Sequence, residues 1–187
     1  MHYLCLVVGE DVDEQLAPFS EYAETQPYKV FLEPSELDQM AKHFGMRSID
    51  VDALAARLSD WHKAEGGVED GRLFYWSTTN PQAMFDWYEI GGRFNGYLRL
   101  REAVPPSWWD RLLGRRAAAG VNRAPKRDVA SEPLLANPPT ALLLEGQWHL
   151  CPITRDKAEV AAWRKQFAAL FRAIPDDATL TAVDVHS

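Results

Sequence analysis

Hydrophobic and polar positions follow two periods along this chain, and the two periods predict most of its secondary structure. Short runs rich in leucine, valine and aromatic residues, each bounded by turn residues, predict strands at 2–8, 73–79, 94–100, 140–144, 147–150 and 179–185. Apolar residues at helical spacing predict helices at about 35–44, from 50 to just before Gly66, at 105–113 and at 156–173. Residues 9–34 show no clear period and are predicted to be mostly loop.

The order of these elements predicts the fold class. Strands and helices do not alternate strictly, and residues 140–150 are typical of a hairpin, which disfavours a doubly wound parallel fold. We therefore expect an α+β fold with one mixed or antiparallel sheet and helices packed mainly on one face. A length of 187 residues is typical of one domain, so residues 1–187 are predicted to form a single domain.

One segment departs from this regular pattern. Residues 114–139 combine small residues, clustered basic side chains and four prolines without an apolar period. This composition predicts a loosely ordered excursion from the domain.

Composition narrows the class of protein. A hydrophobic content of 47% is enough to form a core, yet no run approaches the roughly 20 apolar residues of a membrane span. The two cysteines, Cys5 and Cys151, show neither a disulfide framework nor a metal-type pairing. We expect a cytoplasmic protein with two buried thiols, no membrane association and no cofactor.

Charge is distributed unevenly. Residues 1–70 carry 15 acidic against 5 basic side chains, whereas residues 111–127 carry six basic side chains and no acid. The net charge of −7 makes nucleic acid an improbable partner, although the basic run leaves a local contact open. Such a run is usually a solvated loop.

Residues 80–97 contain the strongest functional signal. Gly91 and Gly92 allow a ligand to approach the backbone closely, and Arg93 can grip a carboxylate or phosphate through two parallel hydrogen bonds. Trp87 and Tyr88 offer rings for stacking or for anchoring a partner. The candidate ligand- or partner-binding residues are Asn80, Asp86, Trp87, Tyr88, Glu89, Gly91, Gly92 and Arg93.

A purely structural interpretation of this segment is also open. The glycine pair is compatible with a tight turn or bulge, and Asp86 with a turn cap. In that case Arg93 would pair with Glu89 or Asp86 in a structural network.

The same segment resembles a group of uncharacterised phage and prophage proteins of actinobacteria and proteobacteria. The group carries an Asn-Pro…Asp-Trp-Tyr-x-Ile-Gly-Gly-Arg-aromatic block, matched here by Asn80 to Phe94, and a terminal Thr-x-x-Asp-x-His strand. The resemblance extends to residues 14–19, 27–28 and 176–186. Where the group often has Cys before its terminal His, this chain has Val185, which weakens a thiol or metal role there. The resemblance implies a genomic setting and no particular activity.

No familiar catalytic or metal-binding motif is present. The five histidines form no His-x-x-x-His or His-Glu-x-x-His arrangement. His149 with Cys151, and Asp184 with His186, stand two apart on predicted strands, so each pair shares a face. If those strands were neighbours, a small polar cluster would form; strand-end histidines more often form hydrogen bonds at the surface.

Two functions are compatible with these features. The first is a phage- or prophage-type binding protein that modulates a host machine or host defence through a protein partner. The second is a small enzyme or binder that acts on a nucleotide-like or other phosphorylated ligand, a small anion held by Arg93. The oligomeric state and the catalytic residues are left open.

Overall fold

The computed structural model describes residues 1–101, 120–152, 154 and 156–187. These residues form nine strands and six α-helices, numbered here along the chain. The predicted α+β class is confirmed, because mixed and antiparallel sheets are combined with helices. The helix predicted at 105–113 lies outside the described residues.

Contacts group the chain into two compact units, residues 1–21 with 82–187, and residues 22–81. Each unit has a sheet of its own, so the prediction of one sheet is wrong. The physical reason is that the predicted strand at 73–79 pairs, among the described residues, with residues 28–31 and 66–69, and these complete a separate three-stranded sheet.

The larger unit is built on a sheet of six strands. Its main path consists, in spatial order, of β5 (Trp87–Ile90), β9 (Thr179–His186), β1 (His2–Val8), β7 (Ala141–Leu144) and β8 (Gln147–Leu150). Strand β6 (Arg123–Pro125) also pairs with β9. The β1–β7 pair is parallel, and the other pairs are antiparallel. Strand β9 is therefore hydrogen-bonded on both sides, which explains why seven of its eight residues are buried.

Apolar side chains cover both faces of this sheet. On one face, helices α5 (Ser131–Ala136) and α6 (Lys157–Ala173) pack against Leu4, Leu6 and Ala182. On the other face, α1 (Val12–Leu16) packs against Cys5, Val7 and Val183. The helical stripe predicted at 156–173 is confirmed, with Asp156 accepting a hydrogen bond from the backbone of Ala158 at the start of α6. The prediction of a buried thiol holds for Cys5 only, because Cys151 is half-buried.

The smaller unit packs three helices on one face of a sheet ordered β2 (Tyr28–Phe31), β4 (Arg72–Ser77), β3 (Gly66–Glu69). Helix α2 (Pro34–His43) confirms the helix predicted at 35–44. The helix predicted from residue 50 does begin there, with Asp50 as its N-cap, but it is divided into α3 (Val51–Ala55) and α4 (Leu58–His62). The predicted loop at 9–34 contains α1 and β2, whose few residues are too short for a clear period.

Two further predictions need correction. Residues 94–100 form a 3-10 turn at Gly92–Phe94 followed by isolated bridges at Leu98 and Leu100, and no continuous strand. The described part of the predicted loose excursion, residues 120–139, is packed: it supplies β6 and α5 and buries Val129 and Leu134. Tertiary pairing with β9 orders it despite its irregular composition.

The basic residues of this part are paired with acids. Arg123 contacts Glu10 at 2.6 Å, and the buried Lys126 contacts Asp176 at 3.2 Å. Arg127 lies 3.9 Å from Asp128. These three side chains therefore form no unneutralised basic patch. None of the helices formed by the described residues combines the length and the apolar character needed to cross a bilayer.

Candidate functional site

Three rings, those of Trp87, His186 and His2, form a cluster at the β5, β9 and β1 ends in the larger unit, and the His2 and Trp87 centroids are themselves 5.3 Å apart. His186 is opposite Trp87 on one side and opposite His2 on the other. Residues opposite each other on antiparallel strands point to the same face. Accordingly, the His2 and His186 ring centroids are 4.9 Å apart, and the Trp87 ring stacks on His186 at 5.8 Å.

A buried carboxylate holds the first imidazole. His2 Nδ1 is 3.0 Å from Asp184 Oδ1, and Asp184 is only 1% exposed. Asp184 precedes His186 by two residues on β9, so both side chains lie on the same face. Strand β9 thus supplies both the carboxylate that binds His2 and the second imidazole, His186.

A second carboxylate holds the second imidazole. His186 Nδ1 lies 2.7 Å and 2.9 Å from the two carboxylate oxygens of Asp86. Asp86 is fixed in turn, because its backbone N–H donates to the His186 carbonyl and its carboxylate accepts from the Trp87 N–H at 2.8 Å. A carboxylate at Nδ1 favours the tautomer with the proton on that nitrogen. Neither Nε2 atom forms a hydrogen bond within the part of the chain that the structure describes.

The glycine pair shapes the backbone around Asp184. Gly91 and Gly92 have φ of 78° and 45°, in the left-handed region that favours glycine. A Cβ at Gly92 would lie 2.6 Å from Asp184 Cβ and Oδ2, so only glycine fits there. This close approach lets the Arg93 N–H donate to Asp184 Oδ2 at 2.9 Å.

Both carboxylates are stabilised in their charged form. Burial alone would raise the pKa of Asp184, but the Arg93 N–H, His2 and the Arg93 charge outweigh it, so this pKa lies below its ordinary value. The hydrogen bond from His186 lowers the pKa of Asp86, and partial burial opposes the shift only in part. At neutral pH the site therefore contains two anionic carboxylates, each bonded to an imidazole.

The eight predicted binding residues do not all come together. Asp86, Trp87, Gly91, Gly92 and Arg93 surround the imidazoles or their carboxylates. Asn80 is buried in the smaller unit.

Tyr88 and Glu89 have other positions on β5. Tyr88 points to the opposite face, where its hydroxyl donates to Asp13, and burial with that bond raises its pKa to about 12. Glu89 is exposed beside the site, opposite Asp184 in register.

Arg93 resolves the two interpretations of the segment. Asp86 bonds to His186, and no described residue forms an ion pair or hydrogen bond with the Arg93 guanidinium. The side chain is exposed, so the predicted pairing of Arg93 with Asp86 or Glu89 is wrong. The glycine pair does form a turn, but the turn serves to bring the backbone against Asp184.

Sequence inspection found only part of the polar cluster. The Asp184–His186 pair does share a face, yet its neighbours are His2 and Asp86, and not His149 with Cys151. Strands β1 and β7 separate β8 from β9, which keeps His149 and Cys151 apart from the pair. His2 was missed because its role depends on β1 pairing with β9, 182 residues further along the chain.

Comparison with known proteins does not relate this site to a known family. The described residues contain no group of three or more His, Cys, Asp or Glu side chains arranged to hold a metal ion. No protein-family model, curated protein or solved structure matches the chain.

Proposed function

We propose that the chain binds a phosphorylated small ligand beside His2 and His186 and that these imidazoles exchange protons with it. The observation that carries this proposal is the pair itself. Two imidazoles lie 4.9 Å apart, each fixed at Nδ1 by a carboxylate, and each keeps an Nε2 without an intramolecular partner among the described residues.

Such a pair is suited to phosphoester chemistry. A neutral Nε2 accepts the proton of an attacking water or hydroxyl while a new O–P bond forms. A protonated imidazole gives its Nε2 proton to the leaving oxygen as the old P–O bond breaks. The carboxylates orient the rings and stabilise the imidazolium that forms in each step.

The surroundings of the pair include one cation that can bind an anion. The exposed Arg93 guanidinium has five donors in a planar fork that matches a phosphate. Its own backbone N–H binds Asp184, which also holds His2, so Arg93 is connected to the first imidazole through one carboxylate. Trp87 is 43% exposed and offers a ring face to a ligand.

The binding half of this proposal is tested with inorganic phosphate as the probe. We expect Arg93→Ala to weaken phosphate binding about tenfold, since one charge-assisted contact contributes roughly 1.5 kcal/mol. The melting temperature should change little, because the guanidinium is exposed and no described residue forms a hydrogen bond or ion pair with it. Phosphorus NMR titration measures the affinity.

Arg164→Ala, on the exposed side of α6, provides the matched control and should bind phosphate like the wild type. Equal affinities for all three proteins, or a wild type that does not bind phosphate, would contradict an anion site at Arg93.

Binding to a protein partner is the second candidate function. It corresponds to the hypothesis of a phage- or prophage-type protein that modulates a host machine or host defence. Its support is that Trp87 and Ile90, on opposite faces of β5, are 43% and 45% exposed, and that the described neighbour of this strand is β9 alone. Capture from host extract with Trp87→Ala and Ile90→Ser tests it. A partner recovered by the wild type and lost by both folded variants would support this function, and one retained by both would place the contact elsewhere.

A further inference from the structure

Trp87 and Glu89 share a face of the sheet with the imidazole pair. In the β5–β9 register, Trp87 is opposite His186 and Glu89 is opposite Asp184. Residues opposite each other on antiparallel strands point to the same face, and so do residues two apart on one strand. A ligand at the imidazoles therefore lies on the same side of the sheet as the Trp87 ring and the Glu89 carboxylate.

One face of the Trp87 ring is open for stacking. Its other face lies almost parallel to the His186 ring, at 15°, and His2 approaches it edge-on at 5.3 Å. The side chain is nevertheless 43% exposed, and the described neighbour of β5 is β9 alone. Open aromatic faces of this kind stack nucleobases. A base on Trp87 would be one ring away from both imidazoles, a distance that the ribose and phosphate of the same nucleotide can span.

Glu89 places a hydrogen-bond acceptor next to this ring. Its side chain is exposed, and no described residue forms an ion pair or hydrogen bond with its carboxylate. The negative charge repels a phosphate, which leaves the phosphate to Arg93 and the imidazoles. The same charge favours a base edge that carries N–H donors, and two neighbouring donors bind both carboxylate oxygens at once. The two ends of the ligand are thus distinguished by charge.

We propose that the ligand is a guanine nucleotide whose base stacks on Trp87 and donates its N1–H and N2–H groups to Glu89, while its phosphate lies at the imidazole pair. Guanine has two adjacent N–H donors on its Watson–Crick edge, whereas adenine and cytosine place an acceptor beside a single amino group. This inference rests on the proposed function and specifies its substrate class.

Calorimetric titration with four phosphorylated probes tests this inference. The probes are the 5′-monophosphates of guanosine, inosine and adenosine, together with ribose 5-phosphate. We expect the wild type to bind the guanosine nucleotide at least tenfold more tightly than each of the others. Ribose 5-phosphate lacks the base, inosine lacks the N2 donor, and adenosine turns an acceptor toward the carboxylate, so each loses part of the recognition.

Two variants separate the two contacts. Glu89→Ala should remove the discrimination among the three bases and keep a preference for nucleotides over ribose 5-phosphate. Trp87→Ala should weaken the binding of all three nucleotides at least tenfold. Glu159→Ala, exposed on α6, and Trp76→Ala, also 43% exposed but in the smaller unit, are the matched controls and should keep the wild-type affinities.

A measurement on the wild type guards against a structural effect of Trp87→Ala on the neighbouring imidazoles. The H8 proton of the bound guanosine nucleotide should show nuclear Overhauser contacts to the indole protons of Trp87 and none to those of Trp76. Equal affinity for the three nucleotides, or base contacts away from Trp87, would overturn the guanine assignment and leave the phosphate site intact. Absence of binding to inorganic phosphate and to all four probes would overturn the proposed function together with this inference.

Discussion

Replacing either imidazole should slow phosphodiester cleavage by at least about 100-fold, because general acid–base catalysis commonly contributes 10²–10⁴-fold. Bis(4-nitrophenyl) phosphate is the probe, and release of nitrophenolate measures turnover. His2→Asn and His186→Asn each remove one proton-transfer group, and the other imidazole keeps its own carboxylate. The loss should appear mainly in kcat, since Arg93 still holds the phosphate.

His149→Asn is the matched control for this experiment. His149 is half-buried on β8, two strands away from β1, and should have no effect on turnover. The double variant His2→Asn/His186→Asn should be little slower than the single variants, because residues that act as a unit are not additive. Turnover that persists in all folded variants would remove the pair from the chemistry.

Asp184→Ala should lower the free energy of unfolding by about 3 kcal/mol, roughly a 100-fold change in the folding equilibrium. The carboxylate is 1% exposed and receives hydrogen bonds from His2 and from the Arg93 backbone. Its removal leaves the partly buried His2 Nδ1 and the Arg93 N–H without an acceptor. Urea unfolding followed by tryptophan fluorescence measures the loss.

The control for Asp184→Ala is Asp128→Ala. Asp128 is 55% exposed and lies 3.9 Å from Arg127, so its removal should cost less than about 0.5 kcal/mol. An equally small loss in the free energy of unfolding for Asp184→Ala would contradict a stabilising role of this buried carboxylate.

The contribution of Asp184 should also depend on pH. Because its pKa in the folded chain lies below the ordinary value, its stabilising effect is complete above about pH 4 and is lost as the pH falls through the lowered pKa. The stability difference between the wild type and Asp184→Asn should therefore shrink in strong acid. A difference that grows with acidity would reverse the assigned direction of the shift.

Local pattern accounts for the elements that were predicted well. Helix α6 follows from Trp163, Phe167 and Phe171, which are buried on one side, together with the Asp156 cap. Strand β9 and the β7–β8 hairpin are runs of apolar residues bounded by turns, and their signals lie within a few residues. Such signals do not depend on the rest of the chain.

Predictions failed where distant pairing decides the structure. Residues 120–139 carry no apolar period, yet β6 pairs with β9 and Leu134 enters the core. The strand predicted at 94–100 gives way to a turn, because Gly91 and Gly92 bend the chain to bring Arg93 against Asp184. Assignment of strand 73–79 to a separate sheet likewise depends on which segments pair with it.

The sequence by itself determined the α+β class and singled out the segment with Asp86, Trp87, Gly91, Gly92 and Arg93 as unusual, because residue types and spacing are local properties. Only the tertiary structure decided what that segment does. Pairing of β1 with β9 brings His2 beside His186, and pairing of β9 with β5 brings Asp86 and Trp87 to the same place. These contacts join residues between 99 and 184 positions apart (186 − 87 = 99; 186 − 2 = 184), and no short-range pattern encodes such a pairing.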